Sequence, residues 1–326
     1  MKRMIMVAYL IGLLALSGCA REPVPAEPAP AEPVLAEAAP VIIEITEEAV
    51  ALAEAPPPPV SIVLEPEAPG THEKRCEDAV VDYSHTEDGY VMVRFTGQTD
   101  KRLKVQVKGP KTTYTYNLPR DQWTVFPLSD GDGSYQVVVY QNVSGSQYAT
   151  VLSAGISVKL KDEFAPFLRP NQYVDYTDAK KTVEKGAELC KGLKEPLEKV
   201  AAVYDYVVDT MRYDYDKAAT VTSGYLPVLD TVLKEKEGIC FDYAALMTAM
   251  LRSQEIPCKL VVGYADEVYH AWISVWTEKD GWVDGVIFFD GSVWKRMDPT
   301  FASSGDRSAE IMDYIEHGNY KVKYLY

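Results

Sequence analysis

The chain has 326 residues, 47% hydrophobic and 25% charged, enough apolar side chain for one or two cores, which excludes disorder throughout. Its formal charge of −15 is uneven: Lys2 and Arg3 give +2, residues 20–70 carry ten Glu against Arg21 and so −9, and −8 is left beyond. A globular part of that sign, without a basic stripe or tail, excludes nucleic acid as the main partner, because phosphate recognition needs clustered Lys and Arg. Residues 1–19, MKRMIMVAYLIGLLALSGC, have a basic start and an apolar run from Met4 to Leu16, followed by small residues and a cysteine. That is a secretory signal, too short to span a bilayer and stay.

Its last four residues, Leu16-Ser17-Gly18-Cys19, resemble a bacterial lipobox. The resemblance implies that the Cys19 thiol is alkylated by a diacylglyceryl group and that cleavage makes Cys19 the new N-terminus. Several acyl chains on one residue suffice for stable attachment to a membrane on its extracytoplasmic face, without a transmembrane helix. An ordinary signal with a cysteine at its cleavage site is the competing reading. Residues 20–70 then read as a disordered Pro/Ala/Glu tether: they hold 12 of the 21 Pro, lack backbone donors and repel through like charges. The segment VIIEITEEAVALAE (41–54) interrupts that composition and is assigned no function.

Residues 71–170 carry short alternating runs: Val91, Val93 and Phe95; Leu103, Val105 and Val107; Tyr114 and Tyr116; then SYQVVVYQNV and ISVKL. Period-two apolar spacing with turn residues between predicts antiparallel strands in an Ig-like β-sandwich. The run Asp130-Gly131-Asp132-Gly133 invites a calcium loop, but Tyr135 stands where an EF-hand requires Gly, so a hairpin turn is expected. From Asp178 the period becomes helical, clearest at Val200, Val203, Tyr204, Val207, Val208 and Met211, and a second domain over 171–326 begins. In EGICFDYAALMTAMLRSQEIPCKLVVGY, Gly238 gives a tight turn, Cys240 heads a run of helix formers, and Ile256-Pro257 ends the helix before a strand. KLVVGY, YHAWISVW, WVDGVIFF and VWKRMD follow as strands, giving an α+β chain with helices packed on an antiparallel sheet.

Cys240 is the cysteine placed for chemistry. At a helix N-terminus, unpaired backbone N–H groups and the helix dipole favour negative charge. A thiol of ordinary pKa about 8.5 is activated there when a histidine is near, and the same N–H groups can bind an oxyanion. A buried apolar cysteine is the plainer alternative. His270 in YHAW and Asp298 in WKRMDPT follow in the order Cys, His, Asp. An imidazole pairs with the thiol and protonates the leaving group, and a carboxylate fixes the imidazole's tautomer.

Gly238-Ile239-Cys240 through Ile256-Pro257, Val262-Gly263-Tyr264, His270-Ala271-Trp272, and Trp294 through Asp298-Pro299-Thr300 together resemble a transglutaminase-like domain of the papain-like fold. The resemblance covers residues 178–326, and more loosely the β-domain, which is similar to companion domains of bacterial surface lipoproteins. It implies Cys240 as nucleophile, His270 as base and acid, and Asp298 as orienting carboxylate, with no cofactor or metal. Eukaryotic transglutaminases add calcium and an upstream aromatic at the oxyanion hole. No acidic calcium loop is evident here, and Tyr225 is left outside the assigned site. The expected activity is acyl transfer on an amide of a protein or peptide, cell-wall material included, through a thioester. Hydrolysis (protease or amidase) is slightly favoured over crosslinking, and a non-catalytic surface scaffold is the alternative.

Of the remaining cysteines, Cys258 starts a core strand and reads as packing. Cys76 and Cys190 flank the β-domain, and in an oxidising exterior the options are a disulfide or two free thiols. His72 and Cys76 have the spacing of two metal ligands on one helical turn, but no second pair completes a site.

Overall fold

The computed structural model describes residues 61–278, 281–284, 287–289, 294–296 and 319–326. Cys19 with its lipobox, the 41–54 segment and Asp298 lie outside the described residues. No helix among the described residues is long and apolar enough to cross a membrane.

The alternating runs become β1 (Glu73–Arg75), β2 (Ala79–Asp82), β3 (Tyr90–Phe95), β4 (Leu103–Lys108), β5 (Thr113–Asn117), β6 (Thr124–Pro127), β7 (Gly133–Ser144) and β8 (Gln147–Val158). They form two antiparallel sheets, in the orders β1-β2-β3-β6 and β5-β4-β7-β8. Along β5 the pleat puts Tyr114 and Tyr116 inside and Thr113, Thr115 and Asn117 outside. Val81, Val93 and Phe126 of the first sheet share one core with Val105, Tyr116 and Val137 of the second. The Asp-Gly-Asp-Gly run is a turn, and its first carboxylate serves the neighbouring hairpin. Buried Asp130 accepts the N–H groups of Lys111 (2.8 Å) and Thr112 (2.7 Å) and the hydroxyl of Tyr114 (3.1 Å).

The second half runs α1 (Lys180–Leu189), α2 (Pro196–Thr210), β9 (Arg212–Tyr213), α3 (Tyr215–Thr220), α4 (Leu229–Glu235), β10 (Glu237–Gly238) and α5 (Cys240–Arg252). It continues with β11 (Cys258–Ala265), β12 (Val268–Thr277), β13 (Gly281–Asp284), β14 (Ile287–Phe289), β15 (Trp294–Arg296) and β16 (Tyr320–Leu325). The antiparallel sheet has the order β13-β12-β11-β16. Helix α2 buries the stripe Val200, Val203, Tyr204, Val207 and Val208, as its period demands. Helix α5 is different: every residue from Asp242 to Arg252 is buried, because α1, α2, α4 and the sheet surround it. Fully buried Arg252 ends it, donating to the carbonyls of Cys258 (2.8 Å), Arg169 (2.7 Å) and Tyr326 (2.7 Å). Those three bonds spread the charge over backbone acceptors from three segments.

Two expectations are corrected. The tether does not extend to residue 70: the Ile62 N–H donates to the Ser253 carbonyl (2.9 Å), Gly70 N–H to the buried Asp82 carboxylate (2.6 Å), and Val63 packs on the core. Ile62-Val63-Leu64 supplies apolar burial that the average composition of 20–70 hides, and the described residues from Ser61 onward belong to one compact unit. Strand-rich and helix-rich halves also share one continuous core within it, so a boundary at 170/171 divides secondary structure and not packing. The option of a Cys76–Cys190 disulfide is not realised: both are free thiols. Cys76 is exposed with its sulfur 3.7 Å from the Val151 carbonyl, whereas Cys190 is buried at the end of α1.

Candidate active site

Cys240 is the first residue of α5, and the chain enters that helix under close constraint. β9 and β10 pair in parallel, Asp214 N–H donates to the Gly238 carbonyl (3.0 Å), and the Ile239 N–H donates to the carboxylate of Asp242 (2.8 Å). Gly238 must be glycine, since a Cβ there would stand 2.6 Å from the Asp242 Cβ. Thus the glycine of the Gly-Ile-Cys motif makes room for a carboxylate two residues past the cysteine. Cys240 itself is partly exposed, whereas Cys258 and Cys190 are buried and burial pushes both thiols up to about 11. They stay protonated at neutral pH.

His270 lies on β12 opposite Gly263 of β11, is 4% exposed, and stacks on Trp272 with ring centroids 6.2 Å apart. A Cβ on Gly263 would sit 2.0 Å from the Lys321 carbonyl oxygen and 2.8 Å from the Trp272 ring, so glycine alone lets β16 pass there. The Val-Gly-Tyr and His-Ala-Trp motifs are therefore one feature seen from two strands.

Cys240 and His270, 30 residues apart in sequence, line the same cleft of about 580 Å³, together with Tyr225, Phe241, Tyr269 and Tyr326. Among the described lining residues there is no Asp, Glu, Lys or Arg. Asp298, the third residue of the expected triad, lies outside the described residues, as does Cys19.

The sequence pattern does not announce the group behind the cleft wall. The Tyr225 hydroxyl donates to Asp242 Oδ1 (2.5 Å), and Lys217 Nζ donates to both the Tyr225 oxygen (2.6 Å) and Asp242 Oδ2 (2.7 Å). Burial works against the Lys217 ammonium, but its bonds to Asp242 and Tyr225 outweigh that and hold its pKa above the ordinary lysine range. Burial and then the Asp242 carboxylate push Tyr225 up to about 12. With its one hydrogen committed to Asp242, Tyr225 offers the cleft an aromatic face and no free donor. A signal was available for one member only: an acid three positions into a helix is a common cap of the N-terminal turn.

A second part of the lining is aromatic, joined to Tyr225 through Phe241. Tyr326 contacts Tyr173 (4.3 Å between centroids), and behind it stand Tyr114 (5.7 Å) and Tyr116 (5.9 Å) of β5. The β-sandwich thus backs the cleft directly.

With this geometry in hand, the likeness to known proteins can be stated. Residues 184–285 match the family model of the transglutaminase-like superfamily, a stretch that includes Cys240 and His270 and stops short of Asp298. No curated protein matches the chain. Among solved structures it is similar to a putative cysteine protease from Cytophaga hutchinsonii, at 16% identity over 78% of this chain and 81% of that one, TM-score 0.34. It is also similar to a putative protease from Parabacteroides distasonis (14% identity, 56% of this chain and 37% of that one, TM-score 0.30). Red sea bream transglutaminase matches at 13% identity over 72% of this chain and 56% of that one, TM-score 0.26.

Proposed function

We propose that this protein is a cysteine-dependent acyl-transfer enzyme acting on amide bonds, with Cys240 as nucleophile, His270 as base and then acid, and Asp298 as the carboxylate that orients His270. The observation that carries this reading is the meeting of Cys240, at the first turn of α5, with His270 of β12 in one cleft. His270 takes the thiol proton and the sulfur bonds to the amide carbonyl carbon, moving charge to an oxygen within reach of first-turn N–H groups. The C–N bond then breaks as His270 protonates the departing amine or ammonia, leaving a thioester. Water, deprotonated by His270, attacks the thioester, the C–S bond breaks, and the carboxylic product and free thiol are released. An amine in place of water would leave a new amide. Hydrolysis is favoured because the described cleft lining has no carboxylate to receive an ammonium.

The substrate class is a protein or peptide, cell-wall peptides included. The proposal places the enzyme on the extracytoplasmic face of a bacterial membrane, held by lipid on Cys19. Replacing Cys19 with Ser should leave the chain unprocessed, and a soluble mature protein starting after residue 19 would overturn the anchor. For the chemistry, Cys240→Ala should abolish turnover with little change in melting temperature. His270→Ala should slow alkylation of Cys240 by iodoacetamide at neutral pH. Equal rates for His270→Ala and wild type across pH 5–9 would replace the enzyme reading with the binding scaffold.

A further inference from the structure

Asp242 poses a physical conflict. It is the third residue of α5, two past Cys240, fully buried, and its carboxylate accepts the Ile239 N–H. An acid at that position suits the helix terminus but opposes a second negative charge in the same turn. At an effective dielectric near 20, one uncompensated unit charge changes a thiolate population by about a thousandfold at ~4 Å and still by about tenfold at ~12 Å, so two residues of one helical turn should feel at least the latter. The structure supplies the compensation from outside the helix. Lys217 of α3 reaches the same carboxylate at 2.7 Å, and its ammonium sits 4.3 Å from the centre of the Tyr225 ring.

We propose that Lys217 and Asp242 form a charge-balanced pair behind Cys240. Asp242 ties the Tyr225 loop to the start of α5, and Lys217 cancels the carboxylate's field so that the positive end of the helix still acts on the thiol. Both are positioning residues. The inference rests on the reading of Cys240 as nucleophile and deepens it. Besides Tyr225 and Cys240 itself, the titratable groups among the described lining residues are His270 and Tyr269 of β12, Tyr213 of β9, Tyr173 and Tyr326. Tyrosines are neutral between pH 5 and 8, and His270 is common to every variant below, so differences among the variants report the pair.

The test is peptide-resolved alkylation of Cys240 by iodoacetamide in the full chain from pH 5 to 9. Asp242→Asn, which leaves Lys217 uncompensated, should speed alkylation at pH 6–7 by about tenfold or more, and Lys217→Met should slow it by about as much. The double variant should lie within about threefold of wild type, since it is neutral there and Asn can still accept the Ile239 N–H. Shifts of one sign in both single variants, or no shift, overturn the pair, because a merely structural role gives no opposition of sign. Breaking a buried pair can unfold a protein; if the single variants do not fold, the double variant decides. A double variant that is unfolded, or folded and more than tenfold from wild type, also overturns it. Failure of the nucleophile reading looks different: Cys240 would react no faster than Cys258 in wild type, whatever the sign of these shifts.

Discussion

The two walls of the cleft are held by different forces. On one side Tyr326 is packed among Tyr173, Tyr114 and Tyr116, so the wall is set by dispersion and shape. On the other, Tyr225 is fixed by two hydrogen bonds to an ion pair between buried Asp242 and half-buried Lys217. An aromatic wall resists salt and pH but is intolerant of lost volume; a polar wall keeps its shape only while its charges are paired. The aromatic wall also carries charge at its base. Arg252 donates to the Tyr326 and Arg169 carbonyls, and the Arg169 guanidinium binds Asp88 (2.8 Å) beside β3. The two walls should therefore fail under different insults.

The largest effect should come from Tyr326→Ala, which empties the centre of the aromatic cluster and should cost about 3–5 kcal/mol in urea unfolding. A loss below 1 kcal/mol would mean that the cluster is not the support described. Next is the acid side. Burial pushes the Asp88 carboxyl up, but hydrogen bonds from Lys161, His85 and Arg169 outweigh it and bring it down to about 2. A lowered pKa contributes stability that is present above the ordinary value near 4 and lost as pH falls through the folded value. Wild type should thus lose about 2 kcal/mol between pH 5 and pH 2 that Asp88→Asn does not. A smaller gain is expected from Tyr116→Phe. Its buried hydroxyl has no hydrogen-bond partner among the described residues, so removal should stabilise by about 1 kcal/mol, read as a raised melting temperature. The smallest effect belongs to the polar wall at high pH. Lys217 is held above its ordinary value, so its contribution is complete below about pH 10 and is lost as pH rises through the folded value. Lys217→Met should flatten that alkaline decline without touching the acid one.

The strand alternation of the sandwich, the α2 stripe and the head of α5 were legible because each is a local period or a local stop signal. Cys240 and His270 were legible as residue types in short motifs. The Lys217–Tyr225–Asp242 group was not, because its members come from a short helix, a loop and a long helix and share no period. Helix α5 is buried on every side, so no amphipathic pattern could tell which residues face the cleft. Strand β16 was missed although Tyr320, Val322, Tyr324 and Tyr326 alternate. Lys321 and Lys323 stand between them and keep the segment from reading as an apolar run, and only its pairing with β11 makes it a cleft wall.

The contact of Ile62 with Ser253 has a mechanical meaning. It joins the N-terminal part of the chain to the far end of α5, thirteen residues from Cys240 and so about 20 Å along the helix axis. Tension on the chain ahead of Ile62 would load that end first, with the whole buried helix between the point of pull and the thiol. A pull on Ile62 therefore reaches the first turn of α5 only through the length of a helix packed on every side.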